Sequence, residues 1–257
     1  MSPGGARILR GGSWAERLVE ALAQPPADTS AWMEQHARLL KSDRFSRVGL
    51  LALAGELHYL KLYRAKSIVQ RLGFRLGLGR GVRAFDMGEA LARQGIAVPE
   101  PRACLLVPRG MLLLTEGLDG ASDLQALWRR EQGPGDPGGL MAAAGRALGR
   151  FHRAGYAHGD CKWSNLLWFA GQFYLADLEA VREAPVGGRR QARDLARFTL
   201  NAEELSAGEA HYRRFLASYC DATGTPAATA IDQLLPDLRK LRARHRARYG
   251  ERGTPIF

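Results

Sequence analysis

The chain has 257 residues, 46% of them hydrophobic and 25% charged, with a formal charge of +11 and a mean hydropathy of −0.24. That balance excludes a disordered chain, a collagen-like repeat and a disulfide scaffold, and its length suits one large domain or two small lobes with a proper core. No apolar run approaches the 18 or so residues of a membrane span, and the N-terminal MSPGGARILRGGSW has no apolar segment after its arginines, so neither a spanning helix nor a secretory signal is expected.

Residues 1–36 read as a peripheral amphipathic stretch (Trp14, Leu18, Leu22) broken at Pro25-Pro26, an N-terminal extension. From 37 to 64, ARLLK, RVGLLALAG and LHYLKLYR are strand-like runs separated by polar turns, an antiparallel three-strand meander. Gly77, Gly79 and Gly81 lie in a flexible connection; their spacing does not fit a dinucleotide loop, and no Walker lysine follows. A helix is expected over 82–94, ending at Gly95 with Pro99 beyond. Two further strands follow, ACLLVP and MLLLTEGL. After Gly117 the chain turns helical, over 122–131 and then 139–154 beyond GPGDPGG. Short strands return at 165–169 and 172–177, and helices dominate from 190. Strands first and helices later make an α+β chain with segregated elements, divided here into the extension 1–36, a sheet lobe 37–117 and a helical lobe 118–257.

Cys104, Cys161 and Cys220 are odd in number and far apart, with no zinc-ligand spacing, which reads as reduced thiols in a cytoplasmic protein. Only five of the 37 cations are lysines, so a lysine in a functional position stands out. The basic balance favours an anionic partner. The arginines are not interleaved with aromatics in any nucleic-acid module, so no nucleic-acid partner is expected. Residues 238–252 (LRKLRARHRARYGER) form a basic helical tail, a solvated face in the simplest reading.

The strongest chemical signal is HGDCKWSNLLW, holding Asp160, Lys162 and Asn165, with Asp177 twelve residues after Asn165 at the end of a second short strand. A carboxylate, an amide five residues on and a second carboxylate supply what phosphoryl transfer needs: a group that orients an attacking hydroxyl, and oxygen ligands for Mg²⁺ on the phosphates. This arrangement resembles the protein-kinase-like superfamily, whose catalytic loop is H-x-D-x-x-x-x-N followed by an Asp-led metal motif. The resemblance implies a bilobal kinase-like fold, ATP and Mg²⁺ as cofactors, Asp160 as catalytic base, Lys162 as a contact to the γ-phosphate, and Asn165 and Asp177 as metal and nucleotide ligands. It implies Lys61, in the third strand, as the phosphate-binding lysine, Thr115 as the residue guarding the pocket, and Glu116 to Leu118 as the backbone groups offered to adenine. His152 and His158 are expected to pack and brace.

Several departures narrow the resemblance. The turn KSDRFSR, in the place of the phosphate-covering loop, has no glycine, with Arg44, Ser46 and Arg47 as compensating candidates. Ala84 stands where the helix glutamate that pairs with the strand lysine is expected, with Asp86 and Glu89 nearby. Only sixteen residues separate Asp177 from Asp194, too few for a regulated activation segment, and Gly159 replaces the arginine that reads a phosphorylated one. Together with GIAVPEP, LLLTEGLDGASDLQAL and RRQARDLARF, these features are similar to the bacterial lipopolysaccharide core kinases, over about residues 45–200. That resemblance implies phosphorylation of a heptose or Kdo hydroxyl of the inner core, an anionic glycolipid or sugar acceptor, peripheral contact with the cytosolic leaflet of the inner membrane, and a loop-bracing role for Asp194. A kinase for another acceptor, or a nucleotide-binding pseudokinase scaffold, is the alternative.

Overall fold

The computed structural model describes residues 5–23, 28–129 and 136–257; Pro25-Pro26 and the first part of GPGDPGG lie outside them. The described residues form two compact units, one of residues 1–93 and 98–120, the other of 94–97 and 121–257.

In the first unit, β1 (Arg7–Gly11), α1 (Ser13–Leu22), α2 (Thr29–His36), β2 (Ala37–Ser42), β3 (Ser46–Leu53), β4 (Glu56–Arg64), α3 (Ile68–Arg75), α4 (Arg80–Arg93), β5 (Pro101–Val107) and β6 (Gly110–Glu116) follow in order. The strands make one antiparallel sheet in the order β1-β5-β6-β4-β3-β2. The meander over 37–64 is present as β2, β3 and β4. The alternation of LHYLKLYR explains how β4 serves two layers. Leu60 and Leu62 point into a cluster with Leu18, Trp32, Met33 and Leu105, whereas Tyr63 points into a second cluster with Phe74, Val82, Phe85 and Leu113. The segment 1–36, expected as an extension, lies in this unit: β1 is a sheet edge, and α1 and α2 supply Leu18, Trp32 and Met33 to the first cluster.

The connection around Gly79 is not free of structure. Ser67 caps α3 by accepting from the Gln70 amide at 3.2 Å. A Cβ at Gly79 would meet the Met111 sulfur at 2.2 Å, so its glycine serves close packing on the sheet.

The second unit holds β7 (Ser122–Asp123), α5 (Leu124–Arg129), α6 (Pro137–Arg153), β8 (Tyr156–Ala157), β9 (Leu166–Phe169), β10 (Gln172–Leu175), β11 (Arg182–Glu183), α7 (Arg189–Glu204), α8 (Gly208–Thr223) and α9 (Ala227–Tyr249). The hairpin of β9 and β10 extends to β7, and β8 pairs with β11. Helices α6 and α8 approach so closely that a Cβ at Gly145 would lie 2.2 Å from the Phe215 carbonyl oxygen. The basic tail is the second half of α9, and it is no detached arm. Leu234 and Leu238 are fully buried. Arg242 donates from Nε to Glu203 at 2.9 Å, and His245 meets Glu204 at 2.6 Å. Beyond the helix, the Ile256 amide donates to the same Glu203 carboxylate at 3.1 Å.

Candidate active site

The loop between β8 and β9 is built from short-range hydrogen bonds. The Lys162 amide donates to the Asp160 carbonyl at 2.8 Å, and the Asn165 amide donates to the Lys162 carbonyl at 2.9 Å. The Asn165 side-chain amide also donates to the Asp160 carbonyl, at 2.9 Å. Residues 163–165 form one 3-10 turn, seated by the Trp163 indole donating to the Phe198 carbonyl at 3.1 Å.

Asp194 of α7 anchors the start of the loop. Its carboxylate accepts from the Gly159 amide at 2.9 Å and from the His158 amide at 2.5 Å while only 1% exposed. A buried carboxylate needs such donors, because a charge without them is very costly away from water. Gly159 is required on two grounds: its φ is +79°, and a Cβ there would meet the Ala180 carbonyl oxygen at 2.8 Å. The position of the expected arginine is thus sterically closed to one.

The two histidines brace, as expected. His158 Nε2 donates to the Ala176 carbonyl at 2.9 Å, leaving Nδ1 to accept from the Asp160 amide at 3.4 Å. His152 is buried against Asp194 and shares a 2.9 Å hydrogen bond with the Tyr219 hydroxyl. Burial lowers the His152 pKa against the upward pull of Asp194, and burial raises that of Tyr219, so the neutral form of each is favoured. Gln191 donates to the carbonyls of His152 and Tyr156, at 2.7 and 2.9 Å, tying α7 to both ends of the approach to the loop.

The Asp160 carboxylate is held from two sides. Lys162 Nζ lies 2.7 Å from Oδ2, and the Arg197 guanidinium lies 2.9 Å from Oδ1. Asp160 is 29% exposed, so the group is ordered yet reachable from solvent. Arg197, three residues beyond Asp194 on α7, escapes sequence reasoning because it reaches the loop from 37 residues away. The motif RRQARDLARF contains it, but helical spacing would have had to be combined with the bracing role of Asp194 to single it out.

Asn165 and Asp177 come together through the β9–β10 hairpin. Leu166 pairs with Leu175, and the Ala176 amide donates to the Asn165 carbonyl at 2.9 Å, which sets Asp177 one residue beyond that bond. Asp177 has φ +60° and ψ +55° and starts the 3-10 turn over 178–180. A left-handed residue other than glycine costs on the order of 1 kcal/mol and is concentrated at functional positions. The donor set suits Mg²⁺: Asn165 spends its nitrogen on Asp160 and leaves Oδ1 for a cation, and a carboxylate with an amide oxygen is the hard-ligand combination that ion takes. Among the described residues no cluster of three or more His, Cys, Asp or Glu side chains forms another metal site. Cys161, fully buried beside this loop, has its thiol pKa pushed well up by burial and by the neighbouring Asp194 and Asp160, so it stays a thiol.

In the sheet unit, Lys61 sits in β4 opposite Val48 and Leu113, with Nζ 4.9 Å from the Tyr63 ring centre. Asp86, one candidate partner for that lysine, is gripped by Arg10 of β1, at 2.7 and 3.2 Å, and Glu89 is exposed. Ala84 is buried in the second cluster, where a glutamate would place a charge among Phe85, Val82 and Tyr63. The end of β6 is tied on both sides: the Glu116 amide donates to the Glu100 carbonyl at 2.8 Å and the Gly117 amide to the Leu57 carbonyl at 3.0 Å. The Glu116 amide is thus spent, and its carbonyl accepts from the Thr115 hydroxyl at 3.3 Å. Of the compensating candidates, Arg44 lies over the Phe45 ring at 5.4 Å, and two at the start of β3 are already paired. Ser46 donates its hydroxyl to Asp43 at 2.8 Å, and Arg47 meets Glu34 at 2.5 Å.

Comparison with known proteins gives a family and a shared fold. The family model described as "Lipopolysaccharide kinase (Kdo/WaaP) family" matches residues 30–219. Among solved structures, "WaaP in complex with acyl carrier protein" superposes with a TM-score of 0.56 at 20% identity, covering 86% of this chain and 93% of that one. At that identity the likeness establishes the shared fold. No curated protein matches the chain.

Proposed function

The chain belongs to the lipopolysaccharide kinase (Kdo/WaaP) family, an ATP-dependent phosphotransferase acting on a lipopolysaccharide core sugar, and from that premise we propose how its residues divide the work. The observation that carries the proposal is the Asp160 carboxylate, partly exposed and fixed between Lys162 and Arg197, with the Asp160 backbone carbonyl accepting from the Asn165 side chain.

Asp160 accepts the hydrogen bond of the incoming sugar hydroxyl, aims its oxygen and takes its proton as transfer proceeds. Arg197 fixes one carboxylate oxygen, so that the other faces the hydroxyl. Lys162 is 50% exposed on a flexible stem, and its ammonium passes from Asp160 to the γ-phosphate when the nucleotide arrives. Asn165 and Asp177 would hold Mg²⁺ through oxygen, and the bound ion would supply positive charge that offsets the charge developing on the transferred group. On the sheet unit, Lys61 takes a nucleotide phosphate, and the Glu116 carbonyl with the Leu118 amide takes the adenine edge. The acceptor is a heptose or Kdo hydroxyl, presented by a glycolipid at the cytosolic face of the inner membrane. Acyl carrier protein, the partner in the solved WaaP complex, is a second partner to test.

The experiment is transfer from γ-labelled ATP to a core-sugar acceptor panel by the wild-type chain and by Asp160→Asn. Label must appear on one sugar hydroxyl with the wild type and be absent with the variant. Nucleotide binding without transfer to any acceptor would instead support a scaffold.

A further inference from the structure

Helix α3 is built the wrong way round for a helix that packs on a sheet. Of its eight residues only Phe74 is buried, in the cluster with Tyr63 and Met111. Its other apolar residues face solvent: Ile68 is 82% exposed, Val69 80% and Leu72 58%, followed beyond the helix by Leu76 at 68% and Leu78 at 72%. Five of the eleven exposed large hydrophobic residues among the described ones thus fall within eleven consecutive positions. Scattered apolar residues on a surface need no explanation, but a contiguous apolar patch marks an interaction site.

At 3.6 residues per turn, Ile68, Val69, Leu72 and Leu76 fall within about 100° of the helix circumference, on the side away from Phe74. Arg71 and Arg75 line one edge of that apolar strip, beside Ile68, and are exposed. The whole stretch 65–85 carries Lys66, Arg71, Arg75, Arg80 and Arg83 and not one Asp or Glu. Aliphatic side chains on one outward strip, bordered by cations and held to the protein by a single inward Phe, are what a helix lying in the plane of an anionic bilayer requires. The acyl boundary takes Ile, Val and Leu, and the anionic headgroups take the arginines.

We propose that α3 with the following Leu76–Leu78 segment is a membrane-docking element that seats the protein on an anionic phospholipid surface. The inference deepens the kinase reading, because a sugar carried on a lipid is met at such a surface. Lys66 has a second task, since its Nζ lies 4.7 Å from the Phe45 ring centre, so the lipid contacts fall to Arg71 and Arg75.

The test is sedimentation of the full chain, without nucleotide, on vesicles of phosphatidylcholine alone and of phosphatidylcholine with phosphatidylglycerol. The variants are Ile68→Ser/Leu72→Ser/Leu76→Ser and Arg71→Gln/Arg75→Gln, all at exposed positions where folding does not depend on the side chain. The wild type binds the anionic vesicles, and the triple variant binds them at least about tenfold more weakly. The arginine variant loses the preference for phosphatidylglycerol, and raised salt weakens wild-type binding in the same way. Phosphorylation of vesicle-embedded lipopolysaccharide falls in the triple variant, while that of a water-soluble core oligosaccharide does not. Unchanged vesicle binding by the triple variant overturns the proposal. So does a wild type that ignores both vesicles but binds acyl carrier protein through the same three side chains. If instead the wild type phosphorylates neither acceptor while vesicle binding behaves as described, the kinase reading fails and the docking element stands.

Discussion

Arg197 of α7 places its guanidinium 2.9 Å from the Asp160 carboxylate, reaching across 37 residues of sequence to the loop that Asp194, one helical turn earlier on the same face, fastens by its backbone. One helix therefore sets both the position of the loop and the aim of its carboxylate.

Arg197→Ala should lower kcat for sugar phosphorylation while leaving KM for ATP near the wild-type value, because the arginine acts through Asp160. The variant loses the contact that fixes one carboxylate oxygen, and with it the aim of Asp160. Arg197→Lys should recover part of the loss. Equal falls in kcat and thermal stability would argue for a purely structural residue.

Asp160→Asn should reduce transfer by about 10²–10⁴-fold, the range ascribed to a positioned general base. The melting temperature should stay close to that of the wild type, because the carboxylate is partly exposed and its removal buries no new charge. Steady-state kinetics beside a thermal melt separate the two effects.

Asp194→Ala should destabilise the protein by roughly 2 kcal/mol, because the buried His158 amide loses its acceptor at about 1–3 kcal/mol, while the more exposed Gly159 amide can turn to water. Urea denaturation measures it, and a loss below about 1 kcal/mol would mean that water replaces the carboxylate.

Gly145→Ala would gain up to about 1 kcal/mol of helix propensity on an open helix. Here the added Cβ would lie 2.2 Å from the Phe215 carbonyl oxygen, which is backbone and cannot rotate away. We expect net destabilisation, with α6 and α8 forced apart; a rise in melting temperature would contradict the close packing.

Stability should fall as the pH drops below about 6.5, the ordinary histidine value. Burial holds the folded-state pKa of His152 and of His58 below that value. The unfolded chain then binds protons that the folded chain refuses, so stability is complete above the unfolded pKa and is lost progressively down to the folded pKa. Urea midpoints that stay flat between pH 7.5 and 5.5 would show that these rings protonate freely in place.

Where contacts are local, the sequence carried them: the meander over 37–64, the helix before Gly95 and the hairpin that ends at Asp177 follow from alternation, a C-terminal glycine and short turns. What stayed hidden depends on distant partners. β1 is five residues of mixed polarity whose strand identity comes from pairing with Leu105 and Leu106 nearly a hundred residues on. Helix α3 goes unread in the sequence, because eight residues with a single buried side chain carry too little packing pattern. Asp160, Lys162 and Asn165 lie within six residues and could be picked out by spacing, whereas Arg197 needed the fold. The tail reads as free charge, yet Arg242 and His245 are spent on Glu203 and Glu204.

The most direct measurement is the mass and linkage of the product formed from γ-labelled ATP and lipopolysaccharide core acceptors, with the wild-type chain beside Asp160→Asn. A single added phosphate on one heptose or Kdo hydroxyl, made by the wild type and missing with the variant, is the result expected. Undiminished phosphorylation by the variant would contradict the role given to that carboxylate, and a wild type that transfers nothing to any core sugar would contradict the function itself.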